Sequence, residues 1–198
     1  MKGYNNTTKI ILASSSPFRK ALLQRLQLNF DTISPDIDET AQNGELSETL
    51  VARLSLMKAR EVAKKHPDAL IIGSDQVALL DGKIMGKPGN HQRATAQLLA
   101  ASGKRVTFLT GLSLLNSQNS THETVVVPFD VEFRQLSSAM IEAYLLREQP
   151  YQCAGSFKFE GLGITLFERL DGDDPTALIG LPLIQLTRML EKMEVVIL

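Results

Sequence analysis

The chain has 198 residues, of which 43% are hydrophobic, and its 21 basic and 22 acidic side chains leave a formal net charge of −1 at pH 7. This length and composition predict an ordinary core, whereas the balanced charge and the low aromatic content argue against a nucleic-acid partner or a polybasic membrane surface. No apolar run approaches the roughly 18 residues that span a bilayer or the about 7 of a secretion signal, and the single cysteine fits a reducing compartment, so we expect a cytoplasmic location.

The hydrophobic pattern alternates between strand and helix periods along the chain. In chain order, the predicted elements are strand 9–13, helix 17–28, strand 30–34, helix 47–65, strand 69–73 running into 74–76, a hairpin over 77–85, helix 91–101, strands 106–115 and 123–134, helix 137–147, strand 164–170 and helix 182–192. This order predicts a mixed α/β (α+β) fold. Residues 1–8 are polar and are predicted to be a flexible N-terminal extension, and residues 9–198 a single domain.

The start of the first predicted helix has the features of a phosphate site. Ser16 suits an N-cap and Pro17 suits the first helical position. The free N–H groups of such a helix start attract anions, and the hydroxyls of Ser14 and Ser16 and the cations of Arg19 and Lys20 lie beside them in sequence. A capped helix with solvated basic residues would show the same pattern, so both interpretations stay open here.

Two carboxylates are candidates for acid–base or metal chemistry. Asp75 directly follows the apolar strand 69–73, and we expect it at the end of that strand. A carboxylate in that position is costly unless it is paired or bound to metal, and it could serve as a general base, a Mg²⁺ ligand, both, or a cap. Glu39, in the acidic loop 36–40, could supply a second oxygen to the same cation, or could belong to a solvated loop.

Two lysines and a glutamate complete the candidate set. Lys87 lies between a glycine and a proline, which suits either phosphate binding or a surface turn. Lys58 lies among apolar residues of a helix and would reach either a cleft or the solvent. Glu160, in a glycine-bracketed segment, could accept hydrogen bonds from a nucleobase. Cys153 has no histidine nearby and is interpreted as a packing residue.

Together these segments resemble the Maf family of nucleoside triphosphate pyrophosphatases. The resemblance lies in 14–20 (SSSPFRK), Asp38-Glu39, Lys58-Ala59, 73–76 (GSDQ), 86–88 (GKP), Thr110-Gly111 and 180–182 (GLP). Within the family, 153–158 (CAGSFK) and Glu160 are similar to the branch that hydrolyses 7-methyl-GTP. The branch that acts on dTTP and UTP usually has Gln in place of Glu160.

This resemblance implies a Maf/ITPase-like fold, in which helices flank a central, twisted mixed sheet and an active-site cleft lies between two lobes. It implies a divalent cation, Mg²⁺ or Mn²⁺, held by Glu39 and Asp75, with Asp75 as the proton acceptor. Substrate choice is tied to Phe18, Gln76 and Glu160, and Phe18 stands where this branch often has Trp. The phosphates would be bound by Ser14, Ser16, Arg19, Lys20, Lys58 and Lys87.

The implied enzyme is a hydrolase of acid anhydrides that converts 7-methyl-GTP and water to 7-methyl-GMP and diphosphate, and so removes modified nucleotides from the pool. Its expected partner is the nucleotide alone, without a nucleic-acid polymer or a membrane, and the apolar tail 192–198 is compatible with a homodimer. Two alternatives stay open: a dTTP/UTP pyrophosphatase of the same family, and a nucleotide-binding regulator of cell division with little turnover.

Overall fold

A computed structural model describes residues 8–198, so most of the predicted extension 1–8 lies outside the described residues. The strands are β1 (Lys9–Ala13), β2 (Asp31–Thr32), β3 (Ala69–Leu80), β4 (Lys83–Met85), β5 (Arg105–Asn116), β6 (Thr121–Phe133) and β7 (Phe167–Asp171). The helices are α1 (Pro17–Gln24), α2 (Ser47–Ala63), α3 (His91–Ala101), α4 (Ser138–Glu148) and α5 (Leu183–Lys192), and short 3₁₀ turns occur at Ala154–Ser156, Leu162–Leu166 and Pro175–Ile179. No helix in this part of the chain is long and apolar enough to cross a membrane.

The seven strands form one mixed sheet, in the order β2-β1-β3-β5-β6-β7 with β4 beside β3. Strand β1 runs parallel to both β2 and β3, whereas β3 pairs with β4, and β6 with β7, in antiparallel fashion. The described chain divides into two compact units, the first containing 8–76, 110–127 and 180–198 and the second 77–109 and 128–179. The mixed α/β class predicted from the hydrophobic pattern is confirmed.

Three element bounds differ by three residues or more from those predicted. Strand β3 does not end at residue 73 but continues to Leu80, so Asp75 lies within a strand and the prediction that it ends one was wrong. The physical reason is that 74–76 contains no glycine or proline, and extended pairing continues through it into the apolar residues beyond. Helix α1 ends at Gln24 instead of 28, and the last predicted strand begins only at Phe167, after a 3₁₀ turn.

In the first unit, helix α2 packs directly against the sheet. Its buried residues recur every three or four positions, at Leu50, Val51, Leu54, Ser55, Lys58, Ala59 and Val62. Two glycines permit the close contact: a Cβ on Gly73 would lie 2.0 Å from the Ser55 carbonyl oxygen, and one on Gly111 2.2 Å from that of Val51. Lys58 is the one charged residue among these buried positions, so it lies on the side of the helix that faces the sheet.

The second unit has an aromatic core around Phe157. The ring of Phe157 makes edge-to-face contacts with those of Phe108, Phe133 and Phe167, at centroid distances of 5.3, 5.7 and 4.8 Å. Such pairs stabilise a core beyond the area that they bury. They anchor the middle of the irregular segment 153–161, which also contains Glu160.

Candidate active site

The ammonium group of Lys58 lies between two carboxylates. Its Nζ donates to Oδ1 of Asp75 at 2.7 Å and lies 2.7 Å from Oε1 of Glu39. Lys58 and Asp75 are only 7% and 8% exposed, whereas the Glu39 side chain is largely exposed. A cation and a carboxylate are tolerated at such burial because they are paired. The sequence left open whether Lys58 reaches a cleft or the solvent. In the structure its side chain points into the protein.

The guanidinium of Arg19 belongs to the same group of charges. Its Nε donates to the Gly180 carbonyl at 2.8 Å, and the Ser74 hydroxyl donates to that same oxygen, also at 2.8 Å. Burial lowers the pKa of Arg19 from its ordinary value, and the charges of Asp75 and Glu39 oppose this shift. Because one nitrogen binds Gly180, the terminal N–H groups are left to donate to an anion.

The start of helix α1 is capped as predicted. The Ser16 hydroxyl accepts from the Arg19 N–H at 3.3 Å, and Pro17 is the first helical residue. The Ser14 hydroxyl accepts from the Ser16 N–H at 3.1 Å. Both hydroxyls act as acceptors in these bonds, so each keeps its O–H for an anion. Phe18 follows with 37% of its surface exposed, which leaves ring area for a ligand.

Two other predicted residues of the first unit, Lys20 and Gln76, have different surroundings. Lys20 is exposed and lines a surface hollow of about 590 Å³ together with Gln24, Asn29 and His66, and the lining contains none of Arg19, Glu39, Lys58 and Asp75. The Gln76 amide donates to the Thr110 hydroxyl at 2.9 Å. The structure thus brings together four predicted residues, and Lys20 is not among them.

The second unit contains the remaining two. Lys87 is exposed in the loop between β4 and α3, and Glu160 is exposed three residues after the anchored Phe157. Neighbouring Lys158 is engaged, since its Nζ donates to the Glu148 carbonyl at 2.9 Å. Burial raises the pKa of the Cys153 thiol, which disfavours the thiolate and agrees with its interpretation as a packing residue.

Arg53, which the sequence did not point to, holds the loop that carries Glu39. Its Nε and Nη2 donate to the two carboxylate oxygens of Glu45 at 2.6 and 2.7 Å, and Nη2 also donates to the Thr40 carbonyl at 3.2 Å. Two parallel charge-assisted bonds fix orientation as well as distance. The available signal was an arginine near the buried stripe of α2, five residues before Lys58, with an acidic residue just before the helix.

The ion pair between Arg53 and Glu45 is expected to make a pH-dependent contribution to the free energy of unfolding. Hydrogen bonds from Arg53 lower the pKa of Glu45 from 4.5 to about 2. A carboxyl with a lower pKa in the folded than in the unfolded state stabilises the fold above its unfolded pKa and loses this effect as the pH falls towards its folded pKa. We expect Glu45→Gln to lower the free energy of unfolding most above about pH 5, and progressively less between about pH 4 and 2.

Urea denaturation of wild type and Glu45→Gln at several pH values measures this difference. Glu48→Gln is the control, because Glu48 is an exposed carboxylate in the first turn of the same helix. A penalty for Glu45→Gln that is constant from pH 7 to pH 2.5 would contradict the argument.

The two carboxylates of the cluster converge where the implied metal would bind. The Glu39 and Asp75 oxygens both lie within 2.7 Å of one ammonium nitrogen, so the two carboxylates converge on a single cation position. The described residues contain no group of three or more His, Cys, Asp or Glu that could hold a metal. Mg²⁺ is commonly held by one or two carboxylates, with phosphate oxygens and waters completing its shell. The set fits Mg²⁺ or Mn²⁺ arriving with a phosphate ligand, and does not fit an all-protein cage.

A family model described as Maf-like protein matches residues 9–193. The chain belongs to the Maf-like protein family. A relative from Nitrosococcus oceani, named 7-methyl-GTP pyrophosphatase, is 59% identical over 183 residues, which cover 92% of each chain. The family resemblance stated from the sequence motifs is thereby confirmed.

Two solved structures show weaker likenesses. The Staphylococcus aureus Ham1 protein matches with a TM-score of 0.46 and 16% identity over 65% of this chain and 73% of that one. Protein VC0702 from Vibrio cholerae matches with a TM-score of 0.39 and 11% identity over 77% of this chain and 93% of its own. At these values neither likeness adds to the argument.

The charge cluster of this Maf-like chain is balanced. Two cations, Arg19 and Lys58, face two carboxylates, Glu39 and Asp75, so the four together carry no net positive charge. A triphosphate brings several negative charges, and a divalent cation on the carboxylates would release the Lys58 ammonium for phosphate oxygens. The arrangement therefore suits an anionic ligand that binds together with a metal ion.

Proposed function

We propose that this chain is a nucleoside triphosphate diphosphatase that hydrolyses 7-methyl-GTP to 7-methyl-GMP and diphosphate. The observation that carries the proposal is the 59% identity, over 92% of both chains, to a protein named for this activity. The buried pair of Lys58 and Asp75 supports it, because a paired carboxylate and ammonium beside a capped helix start suit phosphate hydrolysis.

Phosphate binding in this proposal falls to groups that the fold already holds in place. The Gly180 carbonyl fixes the Arg19 guanidinium, and the buried stripe of α2 fixes Lys58. The hydroxyls of Ser14 and Ser16 and the N–H of Phe18 donate to phosphate oxygens, since Pro17 has no N–H and that of Arg19 binds the Ser16 cap. Fixed donors of this kind stabilise developing charge with little reorganisation during the reaction.

Hydrolysis requires that a water oxygen bond to the α-phosphorus while the bond to the bridging oxygen of diphosphate breaks. We assign to Asp75 the proton that this water loses. Lys58 binds Oδ1 of Asp75, which orients the carboxylate and leaves Oδ2 to accept the proton. A divalent cation held by Glu39 and Asp75 in place of the Lys58 ammonium would supply charge neutralisation on the phosphates, and the released ammonium would bind phosphate oxygens.

Base selection is assigned to the exposed groups Phe18 and Glu160. Guanine methylated at N7 carries a positive charge, and a cation over an aromatic face gains about 0.5–2 kcal/mol. A carboxylate at Glu160 would attract the same cationic base, or accept from the N1–H and amino group of guanine. Lys87, in the same unit as Glu160, adds a point charge that suits phosphate.

The carboxylate of Glu160 gives a prediction about selectivity. We expect Glu160→Gln to lower the ratio of kcat/KM for 7-methyl-GTP to that for dTTP by about tenfold, because the charge that favours a cationic base is lost while the shape is kept. Glu168→Gln, an exposed glutamate of the same unit, is the control. An unchanged ratio would remove Glu160 from base selection.

A substrate panel tests the proposed function itself. Diphosphate release is measured with Mg²⁺ or Mn²⁺ on 7-methyl-GTP, GTP, dTTP, UTP and CTP. The highest kcat/KM for 7-methyl-GTP is the expected result. A preference for dTTP or UTP would move the chain to the other branch, and nucleotide binding without turnover of any substrate would favour a regulator.

A further inference from the structure

We propose that Gln97 is a positioning residue that holds the loop carrying Lys87 in its phosphate-binding arrangement. The inference rests on the proposed function only for the role of Lys87. The loop, residues 86–90, connects β4 to α3, and Gln97 lies two turns into that helix.

Both ends of the Gln97 amide are used. Its Nε2 donates to the carbonyl of Gly86, the residue before Lys87, at 3.0 Å, and its Oε1 accepts from the Ser156 hydroxyl at 2.5 Å. The amide thereby links two segments that lie 11 and 59 residues away in the chain. A partly exposed glutamine could satisfy its amide with water alone, so two bonds to separate segments indicate a bracing role.

The far end of this brace is rigid. Ser156 is fully buried, has a φ of +64°, and its N–H donates to the Cys153 carbonyl at 3.2 Å. The next residue is Phe157, which the aromatic core of the second unit holds. Gln97 therefore ties the Lys87 loop to the segment that also carries Glu160.

The other side of the loop is fixed separately. The Gly89 N–H donates to the Tyr151 carbonyl at 2.9 Å, and the Tyr151 hydroxyl lies 3.1 Å from Nδ1 of His91. Pro88 is buried, whereas Lys87 is exposed. The backbone is thus held on both sides of a lysine whose side chain reaches the solvent, an arrangement that reduces the entropy lost when the lysine binds a phosphate.

Hydrogen exchange of the free protein tests the brace without reference to activity. In Gln97→Met, which keeps length and loses both bonds, we expect the Gly89 amide to exchange at least tenfold faster than in wild type. Gln97→Glu keeps the acceptor for Ser156 and loses the donor to Gly86, and should show most of the same change. Gln92→Met, the same substitution at an exposed site of α3, should show none. Unchanged exchange in both Gln97 variants would overturn the proposal.

Kinetics then test whether the brace acts through Lys87. We expect Gln97→Met to lower kcat/KM for 7-methyl-GTP about tenfold in wild type and less than twofold in a Lys87→Ala background, because a brace has nothing to position once the lysine is gone. Equal losses in both backgrounds would overturn the inference and leave the proposed function standing. An inactive wild type would overturn the proposed function, and the exchange result would still decide whether Gln97 holds the loop.

Discussion

Replacement of Asp75 by asparagine is expected to lower kcat for 7-methyl-GTP hydrolysis about a thousandfold, within the range that general-base catalysis supplies. Asparagine has nearly the same shape, and its amide oxygen can still accept from Lys58, so the fold should be kept. It cannot take the proton of the attacking water, and it is a poorer ligand for a divalent cation. Diphosphate release measures the loss, and thermal unfolding shows whether the variant is folded.

The matched control for this variant is Asp68→Asn. Asp68 is exposed and lies immediately before β3, the strand that contains Asp75. The same chemical change is therefore made close by in the chain but outside the charge cluster. We expect it to leave kcat within twofold of wild type. Turnover by Asp75→Asn within tenfold of wild type would assign the proton to another group. Undiminished nucleotide affinity in a variant without turnover would show that Asp75 serves the reaction and not binding.

Local sequence patterns were sufficient for much of the scaffold around Asp75. A serine followed by a proline predicted the start of α1, and the Ser16 cap and the Pro17 position are as expected. The Asp81-Gly82 pair predicted the hairpin between β3 and β4. These features depend on residues within a few positions of one another, which a single sequence displays directly.

The direction of the Lys58 side chain could not be read in the same way. A lysine on an apolar helix face can turn outward, and only tertiary packing decides between the two outcomes. Here Gly73 and Gly111 let α2 lie so close to the sheet that the buried face includes Lys58, and Asp75 and Glu39 compensate its charge. The decisive pairing with Asp75 joins residues 17 positions apart.

A long-range hydrogen bond explains why the sequence did not predict how the Arg19 side chain is held. Arg19 donates to the carbonyl of Gly180, 161 positions away, and no local sequence pattern near either residue predicts this bond. Family motifs did include Gly180, whose φ of +105° is a conformation that favours glycine. The motif therefore marked the position, and the structure supplies the reason that a carbonyl is presented there to both Arg19 and Ser74.

The close contact between α2 and the sheet leads to the second large effect. We expect Gly73→Ala to lower the free energy of unfolding by about 3 kcal/mol, the upper range for overpacking, because its Cβ would lie 2.0 Å from the Ser55 carbonyl oxygen. That oxygen belongs to the helix backbone and cannot rotate aside, so α2 must shift. Since α2 carries Lys58, the shift should also lengthen its bond to Asp75 and lower kcat/KM.

Gly44→Ala separates this packing effect from the strain of a methyl group on glycine. Gly44 has a φ of +74°, and nothing lies within 4 Å of the Cβ that alanine would add, so we expect a loss of about 1 kcal/mol from backbone strain alone. Urea denaturation gives both stabilities, and diphosphate release gives both activities. If Gly73→Ala costs no more than Gly44→Ala, then α2 is not in backbone contact with the sheet. In that case the close packing of α2 could not explain why Lys58 points inward and pairs with Asp75.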